Sequence, residues 1–363
     1  MSLDGVSVGA LCWGARGALA VDGRAVHYRR AGQTGAPAVL LLHGSPESAS
    51  ALQGVAAALE DRFDVIAIDT PGNGLSEPLA EPQPDSEAFA RHALAVLDAF
   101  GIERAGLYGF HTGAGTAMCA ALIAPERISA LALDGYAVWT DAEREALLSE
   151  YCVVYEPVWD GSHLARIWAR LEEQLIFFPW HDRRLAARMD LPPTPLATRL
   201  RRLRDWLTAW DSYPAAYFSA FRRRGEVGPD RTEVPTLIGA MARDPLGAHL
   251  DRLTDVSRAV RLQHWGEDRV RALSEIADHL SAHPGSPATR DPQDAGLLES
   301  LAAPRAVEGW APDGHGGFLL QLWKQLREDP LSSATREAEL ADGLDPLRLH
   351  ARVTAAIQAH TGL

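Results

Sequence analysis

Short, continuous apolar runs alternate with helix-like segments over the first part of the chain. The runs at 39–42, 65–68 and 128–133 consist mostly of Val, Leu, Ile and Ala, which is typical of strands buried on both faces. The segments between them, as at 49–59 and 86–100, carry apolar residues at helical spacing. This alternation predicts a mostly parallel sheet with crossover helices on its faces.

A different pattern, rich in Trp, Arg and Leu at helical spacing, occupies residues 136–232, and the strand rhythm resumes at 235–241. A linker containing Pro and Gly at 283–287 then leads into a further helix-like region. We therefore predict a sheet core (18–135 and 233–282), an inserted helical cap (136–232) and a helical C-terminal extension (283–363).

One segment of the extension is similar to one in the cap. Residues 156–173 and 308–328 each contain an Asp-Gly pair followed by a helix-like stretch with a central Trp. Counted from the Asp-Gly, the extension segment is two residues longer up to its Trp. We interpret the two as copies of one cap hairpin, with the extension associated with the cap, and coincidental similarity is the alternative.

Composition and charge exclude several function classes. The chain has 363 residues and a net charge of -13, which gives no basic surface for nucleic acid. Its three cysteines lack a metal-like spacing and fit a reducing cytosol, and no apolar run has membrane-spanning length. We expect a cytoplasmic protein whose partner is a small-molecule substrate, with no nucleic acid and no membrane, and a homodimer stays open.

The lysine content narrows the chemistry. Lys324 is the only lysine, and no glycine-rich phosphate loop surrounds it. Schiff-base enzymes, pyridoxal-phosphate enzymes and P-loop nucleotidases all require a placed lysine. The sequence therefore argues against these three classes. We expect an enzyme that works without an organic cofactor.

The strongest motif is the stretch from Ala105 to Ala117. A short apolar run ends in Gly109-Phe110-His111-Thr112-Gly113, and a small-residue helix pattern follows. This is the context of a nucleophile elbow, in which the central side chain stands on a strained turn above the sheet. The centre of such a turn is expected to be Ser, Cys or Asp, and here it is His111.

Taken together, residues 24–281 resemble the α/β-hydrolase superfamily, in the capped branch that includes epoxide hydrolases, haloalkane dehalogenases and C–C hydrolases. The resemblance rests on motifs that follow successive predicted strands and on a histidine before the last helix of the core. These motifs are His43-Gly44-Ser45-Pro46, the stretch 69–76 (DTPGNGLS), the elbow, and Asp244-Pro245.

The resemblance implies an oxyanion hole made of backbone amides, one from Thr112 and one near Gly44-Ser45, beside His43. It places the catalytic acid at Asp244, with Asp134 as the alternative. It places the partner histidine at His264, at the end of the last predicted strand. His315, in a Gly-flanked loop of the extension, is the alternative.

A histidine at the elbow supports several kinds of chemistry. A neutral imidazole can attack an acyl group or act as a general base. We expect hydrolysis of a small, apolar or aromatic ester, lactone, epoxide or C–C substrate, with His111 as nucleophile or base. The alternatives are a lyase or decarboxylase-like reaction on the same scaffold and an inactive, hydrolase-like binding protein. Nothing in the spacing of His43, His111 and His264 favours a metal site.

Overall fold

The computed structural model of the protein describes residues 13–189, 191–292, 312–328 and 345–361. Within these ranges, the chain forms an eight-stranded sheet. Its strands are β1 (Ala15–Val21), β2 (Arg24–Gly32), β3 (Ala38–Leu42), β4 (Asp64–Ile68), β5 (Ala105–Phe110), β6 (Ile128–Asp134), β7 (Thr236–Ala240) and β8 (Val260–His264).

The strands follow the order β1-β2-β4-β3-β5-β6-β7-β8. The pairs β1/β2 and β2/β4 are antiparallel, and all pairs from β4 to β8 are parallel. Every residue of β3, β4, β6 and β7 is buried, as expected for parallel strands covered on both faces. The predicted fold class, a mostly parallel sheet flanked by helices, is confirmed.

Helices cover both faces of the sheet. The helices that group with the sheet are α1 (Gln53–Leu59), α2 (Ser86–Ala99), α3 (Thr112–Ile123), α4 (Asp141–Glu150), α7 (Tyr213–Arg222) and α8 (Arg269–Ala282). Because successive side chains of a strand point to opposite faces, Leu40 packs in one apolar cluster with Val96 of α2. Leu41 packs in a second cluster with Ile276 of α8.

The register brings three loops to the same edge of the sheet. Phe110 of β5 pairs with Asp134 of β6, and Asp134 pairs with Gly239 of β7. These residues lie at the carboxyl ends of neighbouring parallel strands, where α/β proteins build their sites. The elbow, the loop after β6 and the loop after β7 therefore leave the sheet side by side.

The chain forms two compact units, and the division differs from the predicted cap boundaries. One unit holds the sheet, Trp13–Cys152 and the residues from Ser212 onward to the end of the described linker. The other holds Val153–Asp211 together with residues 312–328 and 345–361. Helices α4 and α7, which lie inside the predicted cap range, thus group with the sheet.

The described residues of the second unit include four α-helices. They are α5 (Ser162–Ile176), α6 (Leu196–Thr208), α9 (Gly317–Glu328) and α10 (Pro346–Thr361). A Cβ on Gly161, which precedes α5, would lie 2.7 Å from Cδ1 of Trp323 in α9. A Cβ on Gly316, which precedes α9, would lie 2.6 Å from Cγ of Trp168 in α5.

The contacts between α5 and α9 are thus reciprocal. Trp323 makes an edge contact with His163 at 5.0 Å between ring centroids, and Trp168 makes one with Phe318 at 5.6 Å. Each Trp follows its own glycine, Gly161 or Gly316, by the same number of residues. In the extension, the residue equivalent to Gly161 is therefore Gly316. It is not Gly314 of the Asp-Gly pair, from which the distance to the Trp is two residues longer than in the cap. Residues 308–311 of the repeated segment lie outside the described residues.

None of the helices in the described ranges combines the length and the apolar character needed to cross a membrane.

Candidate functional site

The predicted elbow is a strained turn between β5 and α3. His111 has φ 48° and ψ -109°, a backbone conformation that non-glycine residues rarely adopt. Its amide donates to the carbonyl of Asp134 at 3.0 Å, and its carbonyl accepts from the amide of Ala114 at 3.0 Å. Its ring stacks on Phe110, with centroids 3.9 Å apart. The strain is thus held by hydrogen bonds to β6 and α3.

The two glycines that flank the elbow are there because the backbone is crowded. A Cβ on Gly109 would lie 2.5 Å from the carbonyl oxygen of Gly113. A Cβ on Gly113 would overlap the carbonyl oxygen of Leu42 on β3. Only glycine fits at these positions without moving β3 or α3.

His111 and Asp244 form a hydrogen-bonded pair. His111 Nε2 lies 2.8 Å from Asp244 Oδ2. The amide of Leu246 donates to the other oxygen of the carboxylate, Oδ1, at 2.7 Å. The His111 side chain is 27% exposed and that of Asp244 is 8% exposed. Asp244 is therefore buried and held by a backbone amide, while the imidazole of His111 is partly exposed.

Gly135, the first residue after β6, leaves room for this pair. It has φ 71°, and a Cβ there would lie 2.7 Å from His111 Nε2 and 3.0 Å from Asp244 Oδ2. Any side chain at this position would push against the hydrogen bond itself. Sequence reasoning missed this glycine, although its place directly after a buried strand was a usable signal.

The charges of the pair shift both pKa values in opposite directions. Burial lowers the pKa of His111, but the charge and hydrogen bond of Asp244, with Asp134 and Glu47, outweigh burial and raise it. Burial raises the pKa of Asp244, but His111 and the amide of Leu246 outweigh it and lower that pKa. Asp244 is therefore ionised at neutral pH and favours the protonated imidazole.

The hydrogen bond also fixes the tautomer of neutral His111. An ionised carboxylate only accepts, so Nε2 carries the proton and donates it to Asp244. The lone pair of the neutral ring then lies on Nδ1. The described part of the chain offers Nδ1 no hydrogen-bonding partner, so Nδ1 is the nitrogen available for chemistry.

His43 has a structural role in the loop after β3. It is fully buried, and its Nε2 accepts from the amide of Thr70 at 2.9 Å. Because Nε2 is an acceptor, Nδ1 carries the proton, and it donates to the carbonyl of Gly44 at 3.1 Å. Nε2 thus joins the loop after β3 to the loop after β4, and Nδ1 is used within the loop after β3.

The predicted oxyanion residues meet at the start of α3, but not all of their amides are free. The amide of Ser45 donates to Oγ1 of Thr112 at 2.8 Å, so it is not the free donor that the resemblance implied. The carbonyl of Ser45 accepts from the hydroxyl of Tyr217 at 2.6 Å. A Cβ on Gly44 would lie 3.3 Å from Cβ of His111. The amide of Thr112, in the first turn of α3, belongs to the group of helix amides that have no acceptor within the helix.

The carboxylate of Asp134, the alternative acid, binds side chains other than His111. Its carboxylate is buried, and Oδ2 accepts from the hydroxyl of Tyr108 at 2.9 Å and from Arg269 Nη1 at 2.7 Å. Its backbone supports the elbow, and its charge acts on His111, but the acid bonded to His111 is Asp244.

The structure does not bring the predicted partner histidine to the elbow. His264 Nε2 lies 3.3 Å from Asp251 Oδ1, and its side chain is 60% exposed. The physical reason is that β8 runs directly into Trp265, whose amide donates to Ala240 of β7 at 3.1 Å. No longer loop is available to carry a histidine back over the sheet. His315 lies in the other compact unit, where its amide donates to Asp313.

A different histidine, His249, lies near the pair. It is buried, and its Nδ1 accepts from the amide of Val138 at 3.0 Å. Burial and Arg252 lower its pKa to about 4, and the charges of both Asp244 and His111 act on it. It therefore stays neutral and joins the loops after β6 and β7. Its position five residues after Asp244 was the only signal in the sequence.

A narrow cavity of about 10 Å³ opens beside the start of α3, which is room for about one water molecule. Hydroxyl side chains dominate its polar lining: Ser45, Thr70, Ser86, Thr112, Thr116 and Ser219. Elsewhere in the described ranges, no group of three or more His, Cys, Asp or Glu side chains is arranged to hold a metal ion.

Comparison with known proteins agrees with the fold. The model of the alpha/beta hydrolase fold family matches residues 37–149. This stretch contains the loop with His43, the elbow and the end of β6.

Curated relatives match over a similar part of the chain. A hydrolase of Saccharomyces cerevisiae, described as uncharacterized, is 35% identical over 115 residues, 30% of this chain and 38% of the relative. The 2-hydroxy-6-oxononadienedioate/2-hydroxy-6-oxononatrienedioate hydrolase of Paraburkholderia phymatum is 39% identical over 114 residues, 30% of this chain and 39% of the relative. The chain thus spans less than two fifths of the length of these relatives.

Solved structures match over most of the chain. Epoxide hydrolase A from Mycobacterium thermoresistibile has a TM-score of 0.54 at 21% identity, covering 74% of this chain and 97% of its own. The meta-cleavage product hydrolase from Pseudomonas fluorescens IP01 has a TM-score of 0.52 at 19% identity, covering 73% and 97%. At these identities, the likeness establishes the fold.

Proposed function

We propose that this chain, whose residues 37–149 match the alpha/beta hydrolase fold family, is a cofactor-independent hydrolase of a small carbonyl compound, with His111 as nucleophile or general base. The observation that carries the proposal is the 2.8 Å bond between His111 and Asp244 on the strained elbow. In the usual triad, the acid orients a histidine that activates a separate nucleophile. Here the histidine itself occupies the elbow and bonds directly to the acid.

The chemistry follows from the tautomer. Neutral His111 presents the lone pair of Nδ1, while Asp244 stabilises the imidazolium that forms when Nδ1 takes a proton. As a base, Nδ1 removes a proton from water while the oxygen attacks the carbonyl carbon. As a nucleophile, it forms an acyl-imidazole that water then hydrolyses. In both routes the amide of Thr112 is the proposed donor to the oxyanion, a role worth about 3 kcal/mol for one such donor.

The substrate class is argued from the relatives and the site. The Paraburkholderia relative is named for a 2-hydroxy-6-oxo compound, and a Pseudomonas relative, 37% identical over 102 residues, is named a 2-hydroxymuconate semialdehyde hydrolase. Both names describe carbonyl compounds. A base beside a backbone donor suits attack on a carbonyl carbon, so we favour an ester or a C–C bond next to a ketone over an epoxide.

The test is a turnover assay on carbonyl substrates, with the products identified by mass spectrometry. Activated esters and 2-hydroxy-6-oxo dienoates cover the two favoured groups. Wild-type protein is expected to release the acid product, and Asp244→Asn to lower its rate without changing the product. A decarboxylated or eliminated product would point instead to lyase chemistry. Binding without turnover by the wild type would point to a binding protein.

A further inference from the structure

Two hydroxyl side chains meet at the start of α3, and their hydrogen bonds have a fixed direction. Thr112 Oγ1 accepts from the amide of Ser45 at 2.8 Å and donates its own proton to Ser45 Oγ at 3.2 Å. Ser45 Oγ is therefore an acceptor in this pair. Within the residues that the structure describes, the proton of Ser45 Oγ has no acceptor.

The residue before Thr112 is His111, whose Nδ1 carries a free lone pair. The loop of Gly44 and Ser45 packs directly against it, because a Cβ on Gly44 would lie 3.3 Å from the Cβ of His111. Ser45 is held in this place at its amide by Thr112 and at its carbonyl by Tyr217, at 2.6 Å. The loop that carries the Ser45 hydroxyl thus packs against the residue that supplies the base.

We propose that Ser45 is the nucleophile of this site, with His111 Nδ1 as its base and Asp244 as the acid that orients His111. This rests on the proposed function, and it names the attacking group that the proposed function left open. The elbow then supplies the base, and the loop after β3 supplies the nucleophile.

The reaction balances with water as the second reactant. The proton of Ser45 Oγ passes to His111 Nδ1 while Oγ bonds to the carbonyl carbon of an ester. The tetrahedral intermediate then expels the alcohol, which takes the proton from Nδ1 and leaves an acyl group on Ser45. Water gives a proton to Nδ1 and attacks the acyl carbon, and the breaking of its bond to Oγ returns that proton to Ser45. The products are one acid and one alcohol.

The surroundings favour an alkoxide on Ser45. The hydroxyl of Thr112 donates to Oγ, and a hydrogen bond to the charged form is stronger than one to the neutral form. The first turn of α3 begins at Thr112, and the N-terminal end of a helix stabilises negative charge near it. Thr112 is therefore a positioning residue for Ser45.

The test uses a fluorophosphonate probe on the full chain, with the modified residue mapped by peptide mass spectrometry. The expected result is one phosphonyl group on Ser45. His111→Ala and Asp244→Asn are expected to slow this labelling by on the order of 10²-fold. Ser86→Ala, a second serine lining the same cavity, is the matched control and is expected to be labelled like the wild type.

Ester turnover separates the two proposals. Loss of turnover in both Ser45→Ala and His111→Ala supports the proposed function and the role of Ser45. Wild-type turnover in Ser45→Ala with loss in His111→Ala overturns the role of Ser45 and leaves the proposed function standing. Equal turnover in His111→Ala and wild type overturns both.

Further outcomes of the labelling experiment would also overturn the role of Ser45. Labelling at Ser86 or Ser219, or no labelling of an active protein, overturns the role of Ser45. If Ser45→Ala does not fold, Ser45→Cys keeps the test open, because its thiol should react with iodoacetamide faster in the presence of His111 than after His111→Ala. Equal rates in those two proteins contradict the proposal.

Discussion

His111 Nε2 and Asp244 Oδ2 lie 2.8 Å apart, so the residue at the elbow bonds directly to the acid of the site. One ring nitrogen of His111 is occupied by Asp244, and the other is left for chemistry. The strained backbone of the elbow and the missing side chain of Gly135 both serve this pair. We propose that this pair supplies the nucleophile or general base of the reaction.

The pH dependence of turnover reports on the pair. Because Asp244 outweighs burial and raises the pKa of His111, kcat/KM should rise with pH through a midpoint above 6.5, the ordinary value for histidine. Asp244→Asn removes the charge that favours the imidazolium, so its midpoint should move to lower pH. A pH–rate profile of both proteins checks this, and an unmoved midpoint would separate Asp244 from the base.

Gly135→Ala should disrupt the pair. The new Cβ would lie 2.7 Å from His111 Nε2 on a backbone with φ 71°, so turnover should fall and stability should drop by about 1–3 kcal/mol. Gly266→Ala is the matched control, since Gly266 has φ 61° and a Cβ there would meet nothing within 4 Å. Turnover and urea unfolding measure the two effects. Equal losses of turnover in both variants would mean that backbone strain alone explains them.

The prediction of His264 as partner histidine has a direct test. His264 is bonded to Asp251 on an exposed surface, so His264→Ala should retain wild-type kcat/KM. A loss of 10²-fold or more, the usual worth of an acid–base group, would restore His264 to the site. Steady-state kinetics on any substrate that the wild type turns over decides this.

The reciprocal contacts of α5 and α9 predict that replacing either tryptophan lowers the stability of the protein by a similar amount. Trp168 and Trp323 are both buried, at 5% and 2% exposure, and each packs on the glycine before the other helix. Trp168→Ala and Trp323→Ala should each cost about 3–5 kcal/mol. Trp159→Ala, at 66% exposure, should change stability by less than about 0.5 kcal/mol. Denaturant unfolding followed by circular dichroism measures all three, and a large cost for only one of the buried pair would contradict the reciprocity.

Much of this architecture was readable in the sequence because it depends on local patterns. The apolar runs at 39–42 and 65–68 became buried strands, and the glycines around His111 identified the strained turn. These signals are local, since each needs only a few neighbouring residues. The resemblance to α/β hydrolases implied Asp244 as the acid, with Asp134 as the alternative.

The contacts between residues on different loops of the site could not be predicted from the sequence in the same way. Whether His264 reaches His111 depends on the length of the loop after β8, where Trp265 bonds back to β7. The need for Gly135 arises only when His111 and Asp244 meet over it. The bond between the amide of Ser45 and Thr112 joins residues far apart in the chain. Such relationships are set by tertiary packing, which a local pattern does not contain.

Chemical rescue of His111→Ala is the most direct test of whether the imidazole of His111 takes part in the reaction. The variant should fold, because the backbone hydrogen bonds that hold the elbow to β6 and α3 do not involve the His111 side chain. Its turnover should fall by on the order of 10²-fold or more, and added imidazole should restore part of it, because the free base can occupy the vacated space beside Asp244. Turnover equal to that of the wild type, on a substrate shown to be hydrolysed, would contradict a catalytic role for His111.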